Sequence, residues 1–148
     1  MARLLGFDYG RARIGVAMSD PRQIIVSPAF VMPVEKKLVQ AIKNIKLKTD
    51  PSGPFEALIV GLPLLLSGKE GEMALEAKKF AKLLQEEFQL PLFLWDERLT
   101  SAQAERLMKE DDKSRKQRAQ AIDTLSATLI LQNYLDARMF QQKPVPNL

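Results

Sequence analysis

The fold class is decided by the stretch LLGFDYGRARIGVAMS, residues 4–19. Its first part, residues 3–8, is an apolar run typical of a buried strand, and a tight turn is expected around Gly10. In residues 14–19, larger apolar residues alternate with smaller ones, as in the second arm of a hairpin. The stretch therefore predicts a β-hairpin that opens a sheet.

Beyond the hairpin, the spacing of apolar residues switches between the periods of strands and helices. Pro28 lies inside the next strand-like segment, so this strand is predicted at an edge of the sheet or at a bulge. The order of elements predicts an α/β protein with a mixed five-stranded sheet flanked by helices. It forms one domain over residues 1–138, followed by a short tail, 139–148. The further predicted elements are strands over residues 24–32, 57–60 and 91–95, a helix carrying Val34, Leu38, Ile42 and Ile45, a helix with Glu70 and Glu72 in its first turn, a short helix capped by Thr100, and a last helix over residues 115–138.

The chain of 148 residues contains neither cysteine nor histidine. This composition excludes disulfides, thiolate metal sites, cysteine nucleophiles and imidazole bases. Any catalysis must therefore use carboxylates, hydroxyls, Lys or Arg, together with a hard cation bound through oxygen. The net charge of +4 is compatible with a polyanionic partner but does not require one. No apolar stretch has the length of a membrane-spanning helix, so we expect no membrane partner and a cytoplasmic location.

Three carboxylates lie where a surface role does not explain them. Asp8 ends a buried strand and shares by alternation the face of Gly6. Asp96 and Glu97 follow an apolar strand at its carboxyl end, where the sites of open α/β sheets collect. Asp123 lies in the most apolar part of the last helix, where a lone ionised carboxylate is costly. An Asx turn, a helix cap and a buried ion pair are the structural alternatives, but convergence at one end of the sheet favours a functional site.

These acids are typical of phosphoryl transfer with two metal ions. Two Mg²⁺ or Mn²⁺ ions need several carboxylates on rigid elements, and they activate water without a histidine. Asp8 would bridge the ions, while Glu97 and Asp123 would each hold one. Cations nearby would contact phosphates, although a charged run is more often a solvated turn. The predicted phosphate-contacting residues are Arg13, Arg98, Lys113, Arg115, Lys116 and Arg118, with Arg11 as a further candidate.

Five sequence blocks, in order from residue 4 to residue 135, resemble the Holliday-junction-resolvase-like family. They are GFDYG at 6–10, RIGVA at 13–17, VGLP at 60–63, DERLT at 96–100, and Ile122-Asp123. The bacterial members of this family are described as pre-16S rRNA nucleases. The resemblance implies a ribonuclease H-like fold with an acidic triad at Asp8, Glu97 and Asp123. It also implies metal-dependent endonucleolytic cleavage that leaves 5′-phosphate ends, in maturation of the 16S rRNA 5′ end. Pre-16S rRNA, ribosomal particles and the cytoplasm are its implied partners and location.

The sequence departs from the family pattern in one loop. After Gly61-Leu62-Pro63 the family often carries Asn and Asp-Gly, whereas this chain reads LLLSG at residues 64–68. Because this loop is expected to flank the substrate, we expect a different substrate preference or affinity with the metal ligands retained. Gln120-Ala121 also lacks the Lys or Gly expected just before Ile122.

Three other functions remain open from the sequence. A DNA junction resolvase would use the same chemistry, but it would need a two-fold dimer, and the sequence leaves the oligomeric state open. A nucleic-acid-binding module without activity would gain nothing from carboxylates that face phosphates. An ATP-using phosphotransferase closes two lobes over its nucleotide, and a chain of this size supplies only one.

Overall fold

The computed structural model describes the backbone of residues 2–98 and 115–142, and the side chains of residues 2–98 and 124–138. Over these ranges the chain forms a five-stranded sheet in the order β3-β2-β1-β4-β5. The helices lie on both faces of this sheet. The strands are β1 Arg3–Tyr9, β2 Arg13–Ser19, β3 Val26–Pro33, β4 Phe55–Leu62 and β5 Leu92–Asp96, and the helices are α1 Leu38–Thr49, α2 Glu72–Phe88 and α3 Arg115–Gln142.

The sheet combines antiparallel and parallel pairing. Strand β2 pairs antiparallel with β1 and with β3, whereas β4 runs parallel to β1 and to β5. This confirms the predicted mixed sheet and the hairpin that opens it. Strands β1, β4 and β5 consequently end at the same side of the sheet, called here the carboxyl end. In α/β sheets this side is where functional groups from neighbouring strands meet.

Alternation along β1 separates two packed layers. Leu5 and Phe7 pack against α1 and α2, whereas Leu4 packs against α3 on the other face. A side chain at Gly6 would come within 2.7 Å of Leu131 Cβ, so the backbone of β1 approaches α3 closely. Asp8, two residues further along the strand, lies on this same α3 face.

The third strand confirms the prediction made from Pro28. Among the described strands, β3 lies at the edge and pairs only with β2, and its register shifts between the partners of Val16 and Ala17. Pro28 is the partner of Ala17, directly beside this irregularity. An edge or a bulge is where a residue without an N–H group is tolerated in a sheet.

Several predicted boundaries differ from the structure. Helix α2 begins at Glu72, so the prediction that Glu70 lies in its first turn is wrong: Glu70 forms an isolated bridge with Leu64. Helix α1 begins at Leu38, because Val34 is still tied to the hairpin through its N–H and the Ala12 carbonyl. Helix α3 runs to Gln142, into the segment predicted as a tail. The helix predicted after Thr100 lies outside the described residues.

Helix α3 runs along the sheet in the direction opposite to β1. Ala127 and Leu131 lie against Gly6, and Arg138 donates a hydrogen bond from Nη2 to Gln23 Oε1 (2.5 Å) at the far end of the sheet. The first turns of α3 therefore approach the carboxyl end. None of the helices in the described parts of the chain is both long and apolar enough to span a bilayer.

Candidate active site

Asp8 and Glu97 meet at the carboxyl end of the sheet. Asp8 is the second-last residue of β1 and pairs with Gly15 of β2. Glu97 is the first residue after β5. Their carboxyl groups share a hydrogen bond. Such a bond requires a proton between the two groups, so in this arrangement the pair holds one negative charge rather than two. The ends of β1 and β5, which are far apart in sequence, thus place these two carboxyl groups side by side.

Glu97 is almost completely removed from water. Only 8% of its surface is exposed, and its Oε2 atom has no hydrogen-bond partner. The pKa of Glu97 is raised to about 7 as the net result of burial, which raises it most, the hydrogen bond from Asp8, which lowers it, and the charge of Asp96, which raises it. An unpartnered buried carboxylate oxygen is costly, because nothing replaces the water that it has lost.

Gly61 provides the space that Glu97 occupies. A Cβ atom at this position would overlap Glu97 Oε2 and would lie 2.6 Å from Ile130 Cδ1. The Glu97 N–H also donates to the Leu62 carbonyl (3.2 Å), which holds the residue after β5 against the end of β4. The close approach of β4, α3 and Glu97 therefore depends on the missing side chain at Gly61.

The third predicted acid, Asp123, lies in α3 one helical turn before Ala127. Because Ala127 contacts the region of Gly6, this backbone position is on the side of the carboxyl end. The side chain of Asp123 lies outside the described residues. Its place in the triad therefore stays a prediction.

The cations predicted to contact phosphate have different surroundings. Arg13, at the start of β2, lies by register on the same face as Asp8. Arg98 forms hydrogen bonds with Asp96 through Nε and Nη2 (2.6–3.1 Å), which hold the pKa of the Asp96 carboxyl below its usual range. Arg11 binds Glu76 of α2 (2.5 Å). Lys113 lies outside the described residues, and of Arg115, Lys116 and Arg118 only the helical backbone is described.

The donor set of the described residues suits a hard divalent cation. No group of three or more possible metal-ligating side chains is found among these residues. Asp8 and Glu97 form a pair of such side chains. Carboxylate oxygens are the ligands that Mg²⁺ and Mn²⁺ prefer. A cation would also give the unpartnered Glu97 Oε2 a partner and would remove the cost of placing two carboxylates together.

The match to protein families covers nearly the whole sequence. Residues 2–137 match the RuvX family, described as Holliday junction resolvase. The chain belongs to the RuvX family. Two RuvX relatives are named as candidate pre-16S rRNA nucleases: one from Protochlamydia amoebophila is 44% identical over 142 residues, covering 93% of this chain and 95% of the relative. The other, from Koribacter versatilis, is 38% identical over 138 residues, covering 92% and 88%.

Solved structures similar to this RuvX chain share its fold at low sequence identity. RuvC of T. thermophilus in complex with a Holliday junction substrate aligns with a TM-score of 0.56 at 14% identity, covering 94% of this chain and 96% of that one. The yeast mitochondrial Holliday junction resolvase Ydc2 aligns with a TM-score of 0.50 at 11% identity, covering 95% and 81%. These similarities confirm the ribonuclease H-like architecture predicted from the sequence.

Sequence reasoning missed two features of the site. The sequence predicts the strand only over residues 57–60 and leaves Gly61 outside it, whereas Gly61 lies inside β4, where a glycine is a sign of close backbone approach. The pairing of Asp96 with Arg98 was not anticipated, because two charged residues that flank Glu97 give no indication of which one turns inward.

Proposed function

We propose that this protein is a nuclease that hydrolyses phosphodiester bonds of RNA at Asp8, Glu97 and Asp123, with pre-16S rRNA as its substrate. The observation that carries the proposal is the buried Glu97 carboxyl group, hydrogen-bonded to Asp8 at the carboxyl end of the sheet. Membership of the RuvX family and the names of the curated relatives support the choice of reaction and substrate.

The arrangement of the pair suits cation binding better than a purely structural role. A buried carboxyl group with an unpartnered oxygen lowers stability, and an amide or an apolar residue would fill the same space at lower cost. Buried carboxyl groups with a strongly shifted pKa are typical of functional sites. We propose Mg²⁺ or Mn²⁺ as the ion, held by Asp8 and Glu97 with Asp123 as a further ligand.

Each group of residues has a separate part in the reaction. A bound divalent cation supplies positive charge that lowers the pKa of water and stabilises the charge that develops on the phosphoryl group. Asp8 and Glu97 fix the position of this charge, because they come from the ends of rigid strands. Arg13 and the basic residues at the start of α3 would hold the phosphates on either side of the cleaved bond.

The products follow from this chemistry. Attack of water on the phosphorus with departure of the 3′ oxygen breaks one P–O bond and leaves a 5′-phosphate and a 3′-hydroxyl. We propose that the protein cleaves near the 5′ end of 16S rRNA and that it acts on ribosomal precursor particles in the cytoplasm.

Cleavage of two substrates in parallel tests this function. A 5′-extended 16S precursor RNA and a four-way DNA junction are incubated with the protein and Mn²⁺ or Mg²⁺, with EDTA as the control. We expect cut RNA with 5′-phosphate ends and no symmetrical cutting of the junction. Paired cuts in the junction by a dimeric protein, with the RNA intact, would favour the resolvase activity in the family description instead.

A further inference from the structure

The loop between β4 and α2 presents two leucines to solvent beside the candidate site. Leu66 is 95% exposed and Leu65 is 53% exposed. Neither takes part in the two hydrophobic clusters that pack the described faces of the sheet. Single exposed leucines are common on protein surfaces, but two adjacent ones at the tip of a short loop form an apolar point of contact.

The backbone of this loop is fixed by hydrogen bonds. The Gly68 N–H donates to the Leu65 carbonyl (2.8 Å), and the Leu65 N–H donates to the Lys69 carbonyl (2.9 Å). Gly68 has φ +87°, a conformation that a glycine adopts without steric cost. Leu64 pairs with Glu70 across the base of the loop. The backbone that carries the two leucines is therefore held in place before any ligand arrives, which lowers the entropy lost on binding.

The same loop is connected to the carboxylate pair through β5. Arg98 donates from Nη1 to the Leu66 carbonyl (3.4 Å), while its other nitrogens bind Asp96. Glu97 lies between Asp96 and Arg98 in sequence. Its N–H donates to the carbonyl of Leu62, at the start of the loop. Hydrogen bonds through Arg98 and Glu97 thus connect the loop that carries Leu65 and Leu66 to the carboxylate pair.

We infer that Leu66, supported by Leu65, is an apolar wedge that inserts against the stacked bases of the RNA next to the cleaved phosphate. This inference rests on the proposed function and names the feature of the substrate that the site reads. Aliphatic side chains inserted between base steps unstack them and bend the backbone. The exposed Lys69 on the same loop is placed to accompany the wedge with a phosphate contact.

The wedge selects for the structure of the RNA rather than for its sequence. An aliphatic side chain makes no hydrogen bonds to base edges, so it cannot distinguish one base from another. It does lower the cost of opening a stacked, paired step at the cleavage point. The protein should therefore favour a cleavage site within or beside a helix over the same site in an open strand.

Fluorescence of 2-aminopurine, which rises when the base is unstacked, tests the wedge directly. The probe is placed beside the cleavage site of a paired RNA, and cleavage is prevented by Asp8→Asn. In this background, Leu66→Ser is compared with Leu66→Phe, which keeps the apolar bulk, and with Leu47→Ser. Leu47 is the matched control, because it is 70% exposed and lies in the last turns of α1.

We expect a fluorescence rise with the Leu66→Phe and Leu47→Ser proteins that is lost with Leu66→Ser. With Asp8 intact, Leu66→Ser should lower the ratio of kcat/KM on paired RNA to that on unpaired RNA by about tenfold. An unchanged rise and an unchanged ratio would overturn the wedge and leave the nuclease proposal standing; a loop that docks a protein would give this result. A wild-type protein that neither binds nor cuts either RNA would overturn the proposed function, and the wedge with it.

Discussion

Glu97 is a carboxyl group in surroundings that favour its neutral form. It is buried, one of its oxygens has no partner, and a second carboxylate, Asp96, precedes it. Its place is made by the missing side chain at Gly61, and its hydrogen bond goes to Asp8. Without a cation, burial and the charge of Asp96 disfavour the ionised form of Glu97, whereas the hydrogen bond from Asp8 favours it. The stability of the fold, its dependence on pH and the binding of a cation therefore all depend on Glu97.

We expect Glu97→Gln to raise the free energy of unfolding of the metal-free protein at pH 8 by on the order of 2 kcal/mol. The pKa of Glu97 is about 7 in the folded protein and its usual value is 4.5, so the folded state binds the extra proton between these values. Stability therefore falls as the pH rises through this window, and an amide avoids the fall. Urea denaturation in EDTA at pH 4.5 and pH 8 measures the effect. An equal gain at both pH values would contradict it.

Gly61→Ala should reduce cleavage by at least about tenfold and should lower the free energy of unfolding by about 1–3 kcal/mol, the usual cost of overpacking. The added Cβ would displace Glu97 from its place beside Asp8. Gly53→Ala is the comparison away from the site, because its Cβ would make a tight contact with the Asp50 oxygen (3.3 Å) without overlap and without touching Glu97. Cleavage rates and urea midpoints of the two variants give the comparison, and equal behaviour would show that Gly61 does not shape the site.

At the scale of elements, the turn between β2 and β3 is organised by Asp20. Its carboxylate accepts hydrogen bonds from the N–H groups of Arg22, Ile24 and Ile25 (2.7–3.2 Å). These bonds, first among them the one from Ile25, hold the pKa of Asp20 below its usual range. The turn also places Gln23, with φ +58°, where its side-chain amide donates to the Ala2 carbonyl, just before β1, and to the Glu56 carboxylate of β4.

Asp20→Ala should lower the thermal midpoint at neutral pH and have little effect in strong acid. Because the pKa of Asp20 is lowered in the folded protein, its contribution is present above the usual value of 3.8 and is lost as the pH falls through the lower folded value. Melting curves at pH 7 and near pH 2 provide the measurement. A destabilisation of the same size at both would mean that the charge on Asp20 is not what holds the turn.

The end of β5 and the loop after β4 are joined by Arg98. Since its guanidinium group is engaged by Asp96 and by the Leu66 carbonyl, we expect Arg98→Ala to weaken RNA binding through the loop rather than through a lost phosphate contact. The slope of log affinity against log salt should then be unchanged. A slope reduced by about one would identify Arg98 as a phosphate ligand, the role assigned to it from the sequence.

At the scale of the whole molecule, the sequence predicted the architecture well because its local signals were consistent. The alternation in β1 and β2 predicted the hairpin, Pro28 predicted the edge strand, and Asp8 and Glu97 were selected because surface roles did not explain them. Three details were beyond reach: the burial of Glu97 over Gly61, the pairing of Arg98, and the start of α2 after Glu70. The first depends on a contact between segments distant in sequence, and the other two depend on the geometry of short local loops. Local periodicity encodes neither kind of contact.

A cleavage assay with carboxylate variants tests whether phosphodiester hydrolysis takes place at the Asp8–Glu97 pair. Precursor 16S RNA is incubated with Mn²⁺ and wild-type protein, Asp8→Asn, Glu97→Gln, or Glu86→Gln, an exposed carboxylate near the end of α2. We predict that Asp8→Asn and Glu97→Gln each lower the rate by roughly a thousandfold, as loss of several kcal/mol of charge stabilisation requires, while Glu86→Gln cuts at the wild-type rate. Cleavage at the wild-type rate by the Asp8 and Glu97 variants would place the hydrolysis elsewhere in the protein.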